Sequence, residues 1–393
     1  MEAKQNSKNI FNSFKNSFKD FSMYYILAFI VIFFQILTDG ILLQPLNVTN
    51  LILQNSYILI LAIGMLVLIV LGDIDLSVGA TAAFVGAMAA ILTIKMNVPS
   101  PIAIILCLII GIAIGAFNGF WIAYVNVPAF IATLGTQLLF RGLTIVVLDG
   151  RTLSPFPDMI KSIGSGFIPD LLNGDSVHLF SLVIALIIAI AYVVSSLNTR
   201  KKKINNEMPV DSFVTFISKI AATILLFAAI TFLLAMYEGF PNVLIILAVL
   251  LIGYRFITQK MVIGRHIYAI GGNEKAAELS GIETKKIKFL GYMNMGLLAA
   301  IAGLVFSARL NAATATAGNG FELDAIAACY IGGASAYGGV GTVIGALIGG
   351  LVMGVLNNGM SLMGVGVDWQ QSIKGLVLLI AVAFDIYSKS KSK

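Results

Sequence analysis

The sequence predicts an all-α, polytopic integral membrane protein with ten to twelve transmembrane helices, some broken or re-entrant, and both termini in the cytoplasm. Three observations carry this. Of 393 residues, 59% are apolar and only 11% are charged, against about 45–50% and about 25% in soluble domains, and mean hydropathy is +0.96. The apolar residues fall in long runs, as a bilayer core requires at about 20 residues per helix. The basic residues cluster between those runs. A soluble enzyme is excluded, and so is a disordered chain, because disorder needs low hydrophobicity.

The runs lie near 22–38, 51–71, 76–94, 101–123, 128–148, 179–197, 214–237, 241–258, 289–308, 322–337, 341–360 and 369–387. Several are short or interrupted by glycine, which suits half-helices. The first follows Lys4, Lys8, Lys15 and Lys19. A basic stretch before an apolar run can be a signal peptide, but Thr38, Asp39 and Gly40 follow without a small-residue cleavage pattern, so a retained span is expected. Within 1–21, Phe11, Phe14, Phe18 and Phe21 recur at helical spacing, with Lys15 and Lys19 between them. That is the pattern of a short amphipathic helix on the inner leaflet; a disordered tail is the alternative.

Orientation follows from charge. With the N-terminus inside, the basic clusters at 4–19, 200–219, 255–288 and 389–393 all face the cytoplasm, where Lys and Arg accumulate. The outer loops hold Asp39, Asp149, Asp158, Asp170, Asp175, Glu238 and Asp368. The net charge of +6 is therefore topological, and no basic face remains for nucleic acid. Cys107 and Cys329 lie in apolar runs, and His178 and His266 are the only histidines. Neither a disulfide framework nor a metal site is expected.

Residues 259–288 form the largest cytoplasmic loop. Gly271 and Gly272 permit a tight turn. Asn273 is a good N-cap, and Glu274 in the first turn suits the helix dipole. Lys275 to Ser280 give about two turns, and Gly281 ends them. Ala276, Ala277 and Leu279 leave a small apolar surface. Such a helix is the size of a knob for a groove on another protein; an ordinary connecting loop is the alternative.

Ionisable residues are costly in a membrane. Asp73 and Asp75 lie between the second and third runs, Arg141 in the fifth, Arg309 at the end of the ninth, Glu322 and Asp324 at the start of the tenth, and Lys374 early in the twelfth. The favoured reading is structural: they cap broken helices and pair with one another, Arg309 with Glu322 or Asp324 for example. An ion-coupled secondary transporter using these carboxylates is the alternative. Gly111 with Gly115 and Gly345 with Gly349 are small-x-x-x-small pairs for close helix packing. Ile-Asp-Leu at 74–76 and Leu-Asp-Ala at 323–325 each open a small-residue helix, a weak inverted symmetry of the kind that suits alternating access.

The loop reading GRHIYAIGGNEKAAELSGI at 264–282 resembles the cytoplasmic coupling loop of ABC-type monosaccharide importer permeases, the ribose/xylose/galactose group. The resemblance continues at GDIDLSVGA (72–80), VNVPAFIATLGT (125–136), GNGFELDAIAACYIGGASAYGGVGTVIGALIGG (318–350) and LNNGMSLMGVGVDWQQSIKGLVLLIAVAFD (356–385), so it covers nearly the whole chain. It looks closest to the longer xylose-type permeases, the extra length being the RKKK loop with the seventh and eighth runs.

The resemblance implies a single permease domain over 1–393 in the bacterial inner membrane. It would admit monosaccharides such as xylose, galactose, glucose or arabinose by alternating access. The implied partners are a second copy of the chain, a cytoplasmic ATPase with two nucleotide-binding domains, an extracytoplasmic sugar-binding protein and lipid. ATP and Mg²⁺ would be held by the ATPase, since this chain has no G-x-x-x-x-G-K-[ST] loop. Gly271, Gly272, Asn273, Glu274, Ala276, Ala277, Leu279, Ser280 and Gly281 would form the coupling helix, with no catalytic residue. A sugar path needs neutral hydrogen-bonding groups, and the candidates are Asn118, Asn294, Asn311, Thr314, Thr316, Asn319, Asn357, Asn358 and Ser361. Lys95, Arg151 and Lys161, the basic residues of the outer loops, are candidates for meeting carboxylates on the binding protein.

Overall fold

The computed structural model describes residues 22–390 apart from 173, 175, 176 and 211. The amphipathic segment expected at 1–21 lies outside the described residues. Every apolar run becomes a helix. The helices are α1 (Ser22–Leu37), α2 (Pro45–Leu71), α3 (Val78–Ala90, prolonged by a π-turn at Ile91–Lys95), α4 (Ser100–Ala123), α5 (Ala129–Leu148) and α6 (Asp158–Ser165). Then come α7 (Leu179–Asn205), α8 (Phe213–Ala235), α9 (Val243–Lys260), α10 (Val262–Gly272), α11 (Glu274–Leu279) and α12 (Thr284–Leu310). The chain ends with α13 (Phe321–Ile331), α14 (Val343–Leu362) and α15 (Val367–Ser390). Among the described residues nine helices are long and apolar enough to cross a membrane. Extended pairing there is limited to two isolated bridges, Leu153 with Ala313 and Phe167 with Pro241, which tie outer loops together.

Sequence decides which helices are central. α2 is apolar all round, the pattern of a helix enclosed by protein, and 83% of its most apolar stretch is buried, against 11% for α7 and for α8. α2 packs on α12, α14 and α13, and α12 packs on α4, α3 and α6. The small-x-x-x-small pairs do what their spacing predicts. A Cβ at Gly111 or Gly115 would strike the α12 backbone at Gly296 or Tyr292, and one at Gly345 or Gly349 would strike Gly332 or Ala328 beside α13. The seventh and eighth runs, α8 and α9, do not pack as one unit. The outlying hairpin is α7 with α8, whereas α9, the eighth run, packs on α2, α10 and α14 within the body.

Two helices were not visible as apolar runs. α6 is an eight-residue amphipathic helix on the outer side, with Ile160 buried and Gly164 against the α12 backbone. α10 continues α9 after an extended Met261. The glycines 271 and 272 therefore end a helix instead of making a tight turn. Gly271 is small for another reason: a Cβ there would strike Val70 O of α2 and crowd Gly339.

Candidate translocation and coupling sites

α13 has 11 residues, about 16 Å at 1.5 Å per residue, roughly half of a 30 Å bilayer core. It is a half-helix, and its start meets the start of α3. Gly79 and Gly318 pack so closely that a Cβ on either would strike the other's carbonyl oxygen. Two helix N-termini, from the two halves of the chain, thus converge inside the bundle. This is where Ile-Asp-Leu and Leu-Asp-Ala sit.

The carboxylates answer those N-termini. Asp75 Oδ1 accepts from Ser77 N at 2.7 Å and Ser77 Oγ at 2.6 Å. Asn118 Nδ2 donates to Ser77 Oγ at 2.8 Å, and Thr136 Oγ1 donates to Asn118 Oδ1 at 2.6 Å. All four residues are buried, so Asn118 joins α3, α4 and α5 and is no path-lining group in this conformation. At the other half-helix, Asp324 Oδ2 accepts from Tyr57 Oη at 3.1 Å, and Lys374 Nζ of α15 lies 3.0 Å from Oδ1. Phe321 stacks on Tyr57 with centroids 3.8 Å apart. Gln137 of α5 donates to Glu322 Oε1 at 3.3 Å. Arg141, one turn on, donates to the carbonyls of Ala315 and Ala317.

The expected partner was wrong: Asp324 pairs with Lys374, and Arg309 makes no ion pair with either carboxylate among the described contacts. α15 packs on α13, whereas Arg309 ends α12 at the outer side, beside α6. Gln137, Thr136 and Tyr57 were missed. The signal for Gln137 was its i, i+4 spacing to Arg141 on an apolar helix.

Three of the remaining path candidates, Asn294, Asn311 and Asn358, are also held by other parts of the fold. Asn358 and Asn47 exchange amide hydrogen bonds at 2.9 and 3.1 Å, both buried. Asn294 accepts from Tyr254. Asn311 takes the left-handed conformation that ends α12, and its Oδ1 accepts from Phe156 N at 2.9 Å. Asn357 is part-buried, with Oδ1 lacking a partner. Thr316, Asn319 and Ser361 are exposed and Thr314 is part-buried. Thr314, Thr316 and Asn319 belong to the segment that Arg141 holds.

On the cytoplasmic side the capped helix forms as read. Asn273 Oδ1 accepts from Ala276 N at 3.0 Å, α11 runs Glu274–Leu279, and Gly281 follows at φ +83°. Its faces divide unevenly: Ala277 is buried against the body, whereas Leu279 is 86% exposed. Ala277 therefore seats the helix, while Glu274, Ala276 and Leu279 remain outward. Lys288 Nζ meets Glu274 Oε2 at 2.8 Å. Asp73 lies next to them in the α2–α3 turn. Burial pushes its carboxyl up from the ordinary range, Lys288 opposes this and Glu274 adds to it. The Tyr292 hydroxyl also favours the carboxylate, without a well-aligned hydrogen bond. On the outer side Lys95 and Lys161 are exposed, and Arg151 forms an exposed pair with Asp149 at 3.5 Å.

Comparison with known proteins accounts for this architecture. The family model described as branched-chain amino acid transport system / permease component matches residues 47–200 and 180–382. The chain belongs to this permease family. The two matched stretches meet in α7, before the outlying hairpin closes. The chain is 40% identical to the xylose transport system permease protein of Haemophilus influenzae, over 93% of this chain and 95% of that one. It is also 40% identical to the corresponding protein of Escherichia coli K12, over 92% and 90%. The ribose import permease of Haemophilus influenzae is 35% identical, over 88% and 86%. No solved structure matches the chain. It is a multi-pass bacterial membrane protein and a transporter permease subunit.

Proposed function

We infer that the chain is the membrane subunit of an ATP-driven importer for a neutral monosaccharide, with a pentose such as xylose favoured. The observation that carries the reading is the 40% identity to xylose permeases across more than nine-tenths of this chain. The site is consistent with it. Asp75, Glu322 and Asp324 are engaged by Ser77, Gln137, Tyr57 and Lys374, so a proton or cation cargo is not needed to account for them. A neutral sugar requires only weak, neutral contacts along its route, and the segment around Thr314, Thr316 and Asn319, held by Arg141, offers these.

The chain works as a homodimer with a cytoplasmic ATPase of two nucleotide-binding domains, which holds ATP and Mg²⁺. An extracytoplasmic binding protein delivers the sugar. α11 is the ATPase contact, with Glu274, Ala276 and Leu279 outward. Lys95, Arg151 and Lys161 meet carboxylates of the binding protein, where rim charges act mainly on the rate of association. The test is co-purification from mild detergent. A two-domain ATPase should accompany the parent chain and be lost with Leu279→Asp, whose thermal stability should stay within about 0.5 kcal/mol, as for other exposed substitutions. An ATPase equally bound by the variant would overturn the role of α11. Its absence from the parent would overturn the ATP-driven reading.

A further inference from the structure

The start of α12 turns one side toward α2. Lys288 and Tyr292 stand one turn apart, and Gly291 lies close to the same side. A Cβ on Gly291 would crowd Leu71, and Tyr292 is wholly buried. This side therefore abuts the end of α2 and the turn that leads to the broken helix α3. The Lys288 side chain is only 17% exposed, and its ammonium bonds Glu274 of α11. Next to it, Asp73 Oδ2 and the Tyr292 hydroxyl are buried without a hydrogen-bond partner. A buried acceptor left unpaired is costly, so this arrangement is poised to change.

We propose that Lys288 is a positioning residue that exchanges its ammonium between Glu274 and Asp73, passing displacement of α11 to the α2–α3 turn. The proposal rests on the reading of α11 as the ATPase contact. Glu274 and Lys288 border a cleft of about 370 Å³ that also takes in Ile122, Asn126, Glu278 and Lys285. The cleft leaves open space beside the Glu274–Lys288 pair, where α11 can move relative to α12. When the ATPase draws Glu274 away, the ammonium loses its partner and Asp73 gains one. The turn is then held against α12 while α11 moves. Asp73 and Glu274 lie on different elements, so one lysine links the cytoplasmic surface to the helix break that Asp75 and Asn118 organise.

The test is state-dependent cross-linking in the complete complex with its ATPase, in lipid nanodiscs. The two native cysteines are buried, so background is low. One chain carries Ile74→Cys with Lys285→Cys, a second carries Lys275→Cys with Lys285→Cys, so that Lys288, Glu274 and Asp73 are all kept, and a short bifunctional thiol reagent is used. A non-hydrolysable ATP analogue should speed the first cross-link and slow the second, each by about fivefold or more. Rates that do not respond in opposite directions would overturn the exchange. A second measurement covers pairs that fail to assemble: xylose uptake per ATP hydrolysed should be kept by Lys288→Arg and fall at least tenfold with Lys288→Met. Equal effects of Arg and Met would also overturn it. Co-purification of the ATPase is scored in parallel. Its loss from the parent chain counts against the coupling reading, whereas an intact complex without reciprocal cross-linking counts against the exchange alone.

Discussion

Replacing Lys374 by methionine isolates the energetics of the broken-helix site. The Asp324 side chain is 2% exposed and that of Lys374 22%, with 3.0 Å between the charges. Removing one member of a buried pair costs about 3–5 kcal/mol, whereas removing both is often nearly neutral. The stranded carboxyl has one escape, which is to take a proton. At pH 7 this costs about 1.36 kcal/mol for each of the roughly three pH units separating neutrality from the solution pKa of aspartate. The penalty is therefore capped near 4 kcal/mol, and at pH 5 the same arithmetic caps it near 1.5 kcal/mol. At about 2 °C per kcal/mol, the low end for larger chains, Lys374→Met should melt on the order of 5–8 °C below the parent at pH 7. The deficit should shrink to less than half at pH 5. Asp324→Asn combined with Lys374→Met should lie within about 1 kcal/mol of the parent. The assay is a melting curve in detergent at both pH values, each variant referred to the parent at that pH. An equal deficit for the single and double variants, or a deficit that ignores pH, would refute the pairing argument.

Glycine placement gives a paired prediction. Gly79→Ala should abolish assembly in the membrane, because its Cβ would strike the Gly318 carbonyl, whereas Gly135→Ala on α5 meets nothing within 4 Å and should be neutral or stabilising in the same detergent melt. Asn358→Leu strands Asn47 Oδ1, while Nδ2 keeps its bond to Leu42 O at 2.8 Å, and should cost about 1–3 kcal/mol in the same melt. Asp170 tests pH dependence on the outer side. Burial pushes its carboxyl up, but the amides of Leu172, Gly174 and Phe180, with His178 nearby, hold it below the ordinary value. A depressed folded pKa means stabilisation that is present above about pH 4 and lost as pH falls through the folded value. Amide exchange at Leu179 and Phe180, which donate to Asp170 at 3.1 Å, corrected for the intrinsic pH trend, should quicken over that window. In Asp170→Asn it should show no such dependence.

The helices were legible because a bilayer enforces a pattern that a single sequence displays: long apolar runs, with basic residues between them. Caps were legible for a local reason, since Asn273 and Gly281 lie within a few residues of the groups they serve. α6 and α10 escaped because an amphipathic helix at the surface has no apolar run to mark it. Pairings escaped for a different reason. Asp324 meets Lys374 fifty positions away, and Asn358 meets Asn47 across most of the chain, so only the packing of α13 on α15 and of α14 against the start of α2 brings them together. The partners of Asn118, Asn294, Asn311 and Asn358 escaped on the same ground. An asparagine in a membrane helix announces a hydrogen bond, but Asn118 gives no local sign that its partners are Ser77 and Thr136 and not a sugar.

The converging helix N-termini of α3 and α13 explain why so many carboxylates sit in a transporter that the family relationship connects with sugars. A helix N-terminus carries unpaired N–H groups and a partial positive charge. In water such an end costs little; inside a bundle it needs an internal answer. Asp75 precedes α3 and bonds Ser77, and Glu322 and Asp324 fall in the first turn of α13. Each acid is therefore where an interrupted helix needs negative charge. Lys374 balances Asp324 directly, and Arg141 holds the backbone of Ala315 and Ala317 beside Glu322. The glycines at 79 and 318 supply the remaining condition, since any side chain there would force the two ends apart. The acids and the glycines are thus two parts of one solution to breaking helices within a membrane. The break lets the α13 half-helix be tied to α15 and the 315–322 segment be held by α5.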